Sequence, residues 1–265
     1  MGDGIYPEPL ARIDLKPMYQ TLKRIAQGLL PTPLLQRYED QLRALAARPY
    51  RGDRYRCNLC GFRMARFVEL DRGDRLCPRC GSLPRTRRLW RVLQTEVDLN
   101  GQSMLHFSPP RSLAKQLARS PLAHYHRSDY EGEFAADFQI DLTQMSLADR
   151  SYDLLLCYHV LEHIEADQAA MRELYRVLRP GGRCYIQTPF REGEIYEDPT
   201  IQTPSERLLH FGQEDHVRIY SVAGLSERLR RVGFRVERRD FGPGQETDLG
   251  LKERETLLIA HRPRG

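Results

Sequence analysis

The chain has 265 residues, 40% hydrophobic and 29% charged, with a formal net charge of +5; that is room for one large domain with a real core and a small one beside it. No apolar run approaches the ~20 residues that span a bilayer. The first residues, with Asp3, Pro7, Glu8 and Pro9, lack the basic-then-apolar layout of a signal peptide, so a soluble, cytoplasmic protein with no membrane attachment is expected. The charge is uneven: residues 1–100 carry 19 Lys and Arg against 11 Asp and Glu, net +8, whereas residues 101–265 carry 22 against 25, net −3.

Residues 1–50 hold two amphipathic patterns, Pro17 to Leu30 and Pro33 to Ala47, separated by Pro31-Thr32-Pro33. Each proline suits a first helical turn, and the stripes Leu22, Ile25, Ala26, Leu29 and Leu34, Leu35, Tyr38, Leu42, Leu45 need something to cover. Packing on the main domain is expected ahead of a lid or a dimer surface; the oligomeric state is open.

Residues 51–82 carry Cys57-Asn-Leu-Cys60-Gly61 and Cys77-Pro-Arg-Cys80-Gly81, sixteen residues apart. Each Cys-x-x-Cys brings two thiolates to one ion, and the glycine after it lets the backbone turn under the sulfurs. Two such pairs, with Arg72-Gly73-Asp74 as a turn between them, form a zinc-ribbon pattern. Cys57, Cys60, Cys77 and Cys80 are therefore expected to hold a structural Zn²⁺, with iron as the other candidate for four thiolates. The remaining cysteines, Cys157 and Cys184, fall in buried-strand patterns, which suits a reducing compartment. Between Arg51 and Arg91 lie 12 arginines against four acidic residues. That surface could track phosphates, but interleaved aromatics are few, so a small-molecule partner is expected ahead of nucleic acid.

From residue 83 a helix leads into a third region, 83–265. Ser103 to Phe107, Ala123 to Arg127 and Phe138 to Leu142 read as strands, with Arg111 to Arg119 as a helix. Asp129 follows the second strand, where an acidic residue can accept hydrogen bonds from ribose hydroxyls. Tyr152 to Cys157 is a short apolar run without helical period, as in a strand buried on both faces. Ala170, Leu174, Val177 and Leu178 recur at helical spacing, and Arg179-Pro180-Gly181-Gly182 supplies a stop before the strand Arg183 to Thr188. Pro189 to Tyr220 is a long polar insertion, the kind of connection that carries function. A helix over Val222 to Val232 and strands over Phe234 to Arg239 and Glu255 to His261 close the chain.

The run Tyr-Asp-Leu-Leu-Leu-Cys, followed by His159-Val-Leu-Glu-His163 and then Arg-Val-Leu-Arg-Pro-Gly-Gly, resembles class I S-adenosylmethionine-dependent methyltransferases. Tyr55 to Leu93 is similar to bacterial members that carry a zinc knuckle pair ahead of the catalytic fold. The resemblance implies an α/β fold: a Rossmann-like seven-stranded sheet with one antiparallel strand and helices on both faces, preceded by the helical segment and the ribbon. It also implies S-adenosyl-L-methionine as cofactor. The chain departs from the family at the first loop, where His106-Phe107-Ser108-Pro109-Pro110 stands in place of a glycine-rich turn. A proline-stiffened loop that still meets the cofactor is expected; loss of cofactor binding is the other reading. By position, His106, Phe107, Ser108, Asp129, Tyr130, Asp141, Leu142, Tyr158 and His159 would surround the cofactor, with Asp141 and Leu142 at the adenine.

Methyl transfer to an oxygen or nitrogen of a small metabolite, natural product or glycan follows. Non-methyl use of the cofactor and an RNA-directed role of the ribbon are the alternatives. A hydroxyl or protonated amine needs a base, and histidine titrates near neutrality. His159, His216 and Asp215 are the candidate proton acceptors. His163, Glu197, Asp198, His210, Gln213, Arg218 and Tyr220 are candidates for holding the acceptor, with Arg218 suited to an anionic one.

Overall fold

The computed structural model describes residues 32–70, 73–132, 136–244 and 246–265. The helical pattern Pro17 to Leu30 lies outside them. The chain divides into two compact units, one of residues 1–84 and 247–251, the other of residues 85–246 and 252–265.

In the first unit, α1 (Thr32–Ala46) leads through a single 3-10 turn at Arg48–Tyr50 into β1 (Arg51–Arg56), paired antiparallel with β2 (Arg63–Met64). A second antiparallel pair, β3 (Val68–Glu69) and β4 (Arg75–Leu76), closes through Leu70 and Asp74. Such short pairs cannot stand alone; a small core of Ala47, Tyr50, Leu59, Met64, Phe67 and Val68 lies under them. Residues 247–251 join this core. Gly250, at φ +60°, lies against Phe67, and a Cβ there would come within 2.2 Å of the Phe67 ring, so only glycine closes the contact.

The second unit opens with α2 (Pro84–Glu96) and is built on a six-stranded sheet. Its strands are β5 (Ser103–Phe107), β6 (His124–Ser128), β7 (Tyr152–Tyr158), β8 (Leu178–Gln187), β12 (Arg235–Phe241) and β13 (Glu255–His261), in the order β12-β13-β8-β7-β5-β6. β6, β5, β7 and β8 run parallel; β13 is antiparallel to both of its neighbours. Leu154, Leu155, Leu156 and Cys157 are all sealed, so both faces of β7 are covered, as its unbroken apolar run requires.

The expected seventh strand, Phe138 to Leu142, is not formed: only a single bridge links Phe138 to Ser128. Of that segment Ile140 and Leu142 are buried while Phe138, Gln139 and Asp141 are exposed, and two apolar side chains offer too little for a further edge strand.

Between the strands run α3 (Arg111–Leu117), α4 (Asp167–Val177) and α6 (Val222–Val232). α4 buries Ala170, Met171, Leu174 and Val177 in one cluster with Leu225 and Leu229 of α6. Its last carbonyls, which no intrahelical donor can reach, are met by Arg262, whose guanidinium donates to the carbonyl oxygens of Tyr175, Arg176 and Leu178 at 2.7, 3.0 and 2.8 Å. The insertion after β8 is ordered into β9 (Phe190–Arg191), β10 (Tyr196–Glu197), α5 (Pro204–Phe211) and β11 (Arg218–Ser221), the strands forming a sheet in the order β10-β11-β9. α5 begins with a capping box between Thr203 and Glu206 and ends on Gly212 in the left-handed conformation, a start and a stop readable in sequence.

Candidate metal centre and active-site crevice

The two cysteine pairs of the first unit are built alike. In each, the amide of the glycine donates to the carbonyl of the first cysteine at 2.8 Å (Gly61 to Cys57, Gly81 to Cys77), and the amide of that cysteine returns to the residue five positions on, Phe62 or Ser82. Gly61 and Gly81 sit at φ +72° and +74°, where a side chain would be strained. The sulfurs of Cys57 and Cys80 are 3.7 Å apart, those of Cys60 and Cys77 3.8 Å. All four lie within 4.8 Å of one another. Sulfurs about 2.3 Å from one tetrahedral ion stand about 3.8 Å apart, so the donor set fits a zinc-sized cation and is too wide for disulfides.

In the second unit Ser108, Asp129 and His159 follow the carboxyl ends of β5, β6 and β7. Two of the four non-glycine residues with positive φ among the described residues stand there, Ser108 at 43° and His159 at 54°. Strained backbone of this kind gathers at working sites. Ser108 donates from its amide to the carbonyl of Ser128 at 2.8 Å and from Oγ to Asp129 Oδ1 at 3.1 Å. Asp129 is 6% exposed, and its amide donates to the carbonyl of Phe138 at 3.1 Å. Phe107, Leu142 and Tyr158 are buried, whereas Tyr130 is 62% exposed. Burial pushes the Tyr158 phenol well above its ordinary range, so it stays neutral. Asp141 takes a turn role, accepting from the amide and hydroxyl of Thr143 at 2.8 and 2.7 Å. His106 lies inside the sheet: its ring is fully buried, Nδ1 meets the Tyr125 hydroxyl at 3.0 Å, and burial lowers its pKa to about 3.

Beyond β7 the chain makes a single 3-10 turn, Leu161–His163. Here Glu162, His163 and His216 bring their ligand atoms within 4.8 Å of one another. Asp215 pairs with His163, its Oδ2 lying 2.9 Å from Nδ1, and the two rings His163 and His216 meet edge to face at 4.7 Å. The sequence groups Asp215 with His216 as candidate proton acceptors and His163 with the acceptor-holding residues; the tertiary contact joins the Asp215 carboxylate to His163. His216, buried, hydrogen-bonds through Nδ1 to the carbonyl of Phe211 at 3.3 Å and through Nε2 to the Gln213 amide at 2.7 Å. Burial lowers the pKa of His216 and of His159, more than Glu162 can raise either. Nδ1 of His159 lies 3.1 Å from Glu162 Oε1, close enough for charge attraction but not aligned as a hydrogen bond. Burial pushes the Glu162 carboxyl up, and the neighbouring histidines more than offset it, leaving it below its ordinary value.

Four of the suggested acceptor contacts are taken up elsewhere. Arg218 donates to Glu197 at 2.8 Å, to the carbonyl of Glu165 at 2.9 Å and to that of Ile164. Tyr220 donates to Asp167 at 2.6 Å, and Arg228 joins Asp167 to Glu197. Asp198 turns back onto Thr200. These residues fasten the insertion to the segment after β7. His210 stands exposed against Tyr196, 2.6 Å from its hydroxyl. Glu162 is the residue that sequence reading passed over, although His-x-x-Glu-His is itself a metal-site spacing in other folds.

Residues 106–186 match the family model described as a methyltransferase domain. A Mycolicibacterium smegmatis protein named a probable S-adenosylmethionine-dependent methyltransferase is 34% identical over 97 residues, which are 37% of this chain and 34% of that one. The ubiquinone biosynthesis O-methyltransferase of Pseudomonas aeruginosa is 24% identical over 125 residues, 46% and 53% of the two chains. The chain thus spans about a third to a half of the length of these relatives. A chain of the solved complex between the Haloferax volcanii Trm112 methyltransferase activator and a methyltransferase superposes with a TM-score of 0.50 at 14% identity, covering 66% of this chain and 88% of that one; this likeness is one of fold. No described helix is long and apolar enough to cross a membrane.

Proposed function

We propose that the chain is an S-adenosylmethionine-dependent methyltransferase acting on an oxygen or nitrogen nucleophile of a small metabolite, natural product or glycan. The placement of Asp129 carries this reading: a carboxylate 6% exposed at the carboxyl end of β6, hydrogen-bonded by Ser108 from the end of β5, inside the stretch that matches the methyltransferase domain. A carboxylate there suits the two ribose hydroxyls, and Phe107 and Leu142 offer apolar walls. The Ser108-Pro109-Pro110 loop replaces glycines by making its left-handed step at Ser108.

The cofactor supplies a methyl group already activated on a sulfonium, so the protein must hold an acceptor in line, exclude water and accept a proton. His159 is suited to the last task. Burial lowers the pKa of its imidazole, and its Nε2 is buried with no hydrogen-bond partner among the described residues. With the cofactor bound as methyl donor, His159 Nε2 would accept the proton that the acceptor gives up. Glu162, beside Nδ1, stabilises the imidazolium that results. Acceptor recognition belongs to the insertion, through Gln213 and His210, and an oxygen acceptor agrees with the O-methyltransferase relatives. Cys57, Cys60, Cys77 and Cys80 hold a structural Zn²⁺ in a ribbon. The RNA-binding and non-methyl readings gain no specific observation.

Calorimetric titration of the zinc-loaded protein with S-adenosylmethionine tests the cofactor site. Wild type should bind, and Asp129→Ala should lose at least about 1 kcal/mol, the scale of a hydrogen-bond partner removed. Absence of binding by the wild type would overturn the reading.

A further inference from the structure

We infer that Glu162, His163 and His216 form a second metal site, for a divalent transition cation such as zinc or iron(II), distinct from the four cysteines and open to an oxygen donor of the acceptor. Two imidazoles and one carboxylate are the donor set that zinc and iron(II) enzymes use when they keep coordination positions free. The three ligand atoms already lie within 4.8 Å of one another. A cation about 2.1 Å from each asks for about 3–3.5 Å between them, a closing movement that side-chain rotation supplies.

A second observation points independently to a missing cation. Glu162 is 1% exposed, yet neither of its carboxylate oxygens receives a hydrogen bond among the described residues. A buried carboxylate whose near neighbour, His159 Nδ1 at 3.1 Å, is not aligned as a hydrogen bond is costly unless a positive charge meets it. The tautomers are also set for ligation. The Asp215 carboxylate lies 2.9 Å from Nδ1 of His163, which favours the proton on that nitrogen and leaves Nε2 of the ring as the lone-pair donor. The Phe211 carbonyl does the same for His216, whose Nε2 now meets the Gln213 amide. A carboxylate behind a ligating histidine is the usual outer partner of a bound metal. The cation would exchange with Gln213, and Asp215 would orient the ligand without touching the metal. With three protein donors, the remaining positions suit a hydroxyl, catechol or carboxylate oxygen; that acceptor class rests on the methyltransferase reading, whereas the metal site does not.

The test is metal stoichiometry of the full chain, loaded with zinc and, in a second preparation, with cobalt(II). Wild type should hold two equivalents. Glu162→Gln and His216→Ala should each hold one, and Asp215→Asn should bind the second about tenfold more weakly. In the cobalt form, thiolate-to-metal charge transfer marks the cysteine site, and its persistence in the variants shows that they remain folded. The second equivalent should add ligand-field bands without that charge transfer. One equivalent in the wild type, or a second equivalent unchanged in Glu162→Gln and His216→Ala, would overturn the inference. Titration of the same preparations with S-adenosylmethionine reads out separately, so loss of the metal site and loss of the methyltransferase reading are told apart.

Discussion

The cysteine centre and the segment after β7 gather ligands in opposite ways. At the first, four donors come from two copies of one local turn, each closed by its own backbone hydrogen bonds and its own glycine. At the second, Glu162 and His163 come from one turn, while His216 and Asp215 arrive from an insertion more than fifty residues later, held in place by Arg218 and Tyr220 against the carbonyls and the Asp167 carboxylate of the earlier segment. A site made of local turns announces itself in spacing; one made by tertiary fastening does not.

The largest effect should come from breaking the local site. Cys57→Ser removes one of four thiolates, and since structural zinc contributes on the order of 10 kcal/mol to small metal domains, stoichiometric zinc and the folded first unit should be lost together. Metal analysis with near-ultraviolet circular dichroism would read both, and retention of full zinc would mean that three thiolates suffice.

Acid should find the other unit. His106 is buried neutral with a pKa of about 3 against 6.5 for the free side chain, so below pH 6.5 the unfolded chain takes up a proton that the folded chain refuses. Stability is therefore lost as pH falls from 6.5 toward 3, at about 1.4 kcal/mol per unit, or about 2 kcal/mol between pH 7 and 5. Urea unfolding at those two values should show His106→Gln relieved of that share; an unchanged difference would place the pH sensitivity elsewhere.

An effect of similar size tests the contrast from the first unit. Gly250→Ala places a methyl against the Phe67 ring in a left-handed conformation, which should cost about 2 kcal/mol. Thermal unfolding of the zinc-loaded protein would show it, while zinc stoichiometry stays at the wild-type value because the knuckles close themselves.

The legibility of each element follows the range of the forces that make it. β7, α4 and β8 could be read because one strand sealed on both faces and one amphipathic helix each leave a local periodicity. The helix Val222–Val232 and the last two strands were readable for the same reason. The Phe138 segment misled because alternation of apolar residues says nothing about whether a neighbouring edge offers enough burial to hold a strand. The insertion could be recognised by length and polarity, but its three-stranded sheet was not, since strands of two to four residues carry no period.

The cysteine knuckles, the apolar run of β7 and the crossover helix between β7 and β8 could be read from the chain, because each depends on residues within a few positions of one another. The contact of Asp215 with His163, the fastening role of Arg218 and Tyr220, the sealing of His106 in the sheet and the burial of Glu162 beside two histidines come only with the folded chain. Those outcomes depend on which distant side chains exclude water from a given charge, and burial is a property of the assembled chain.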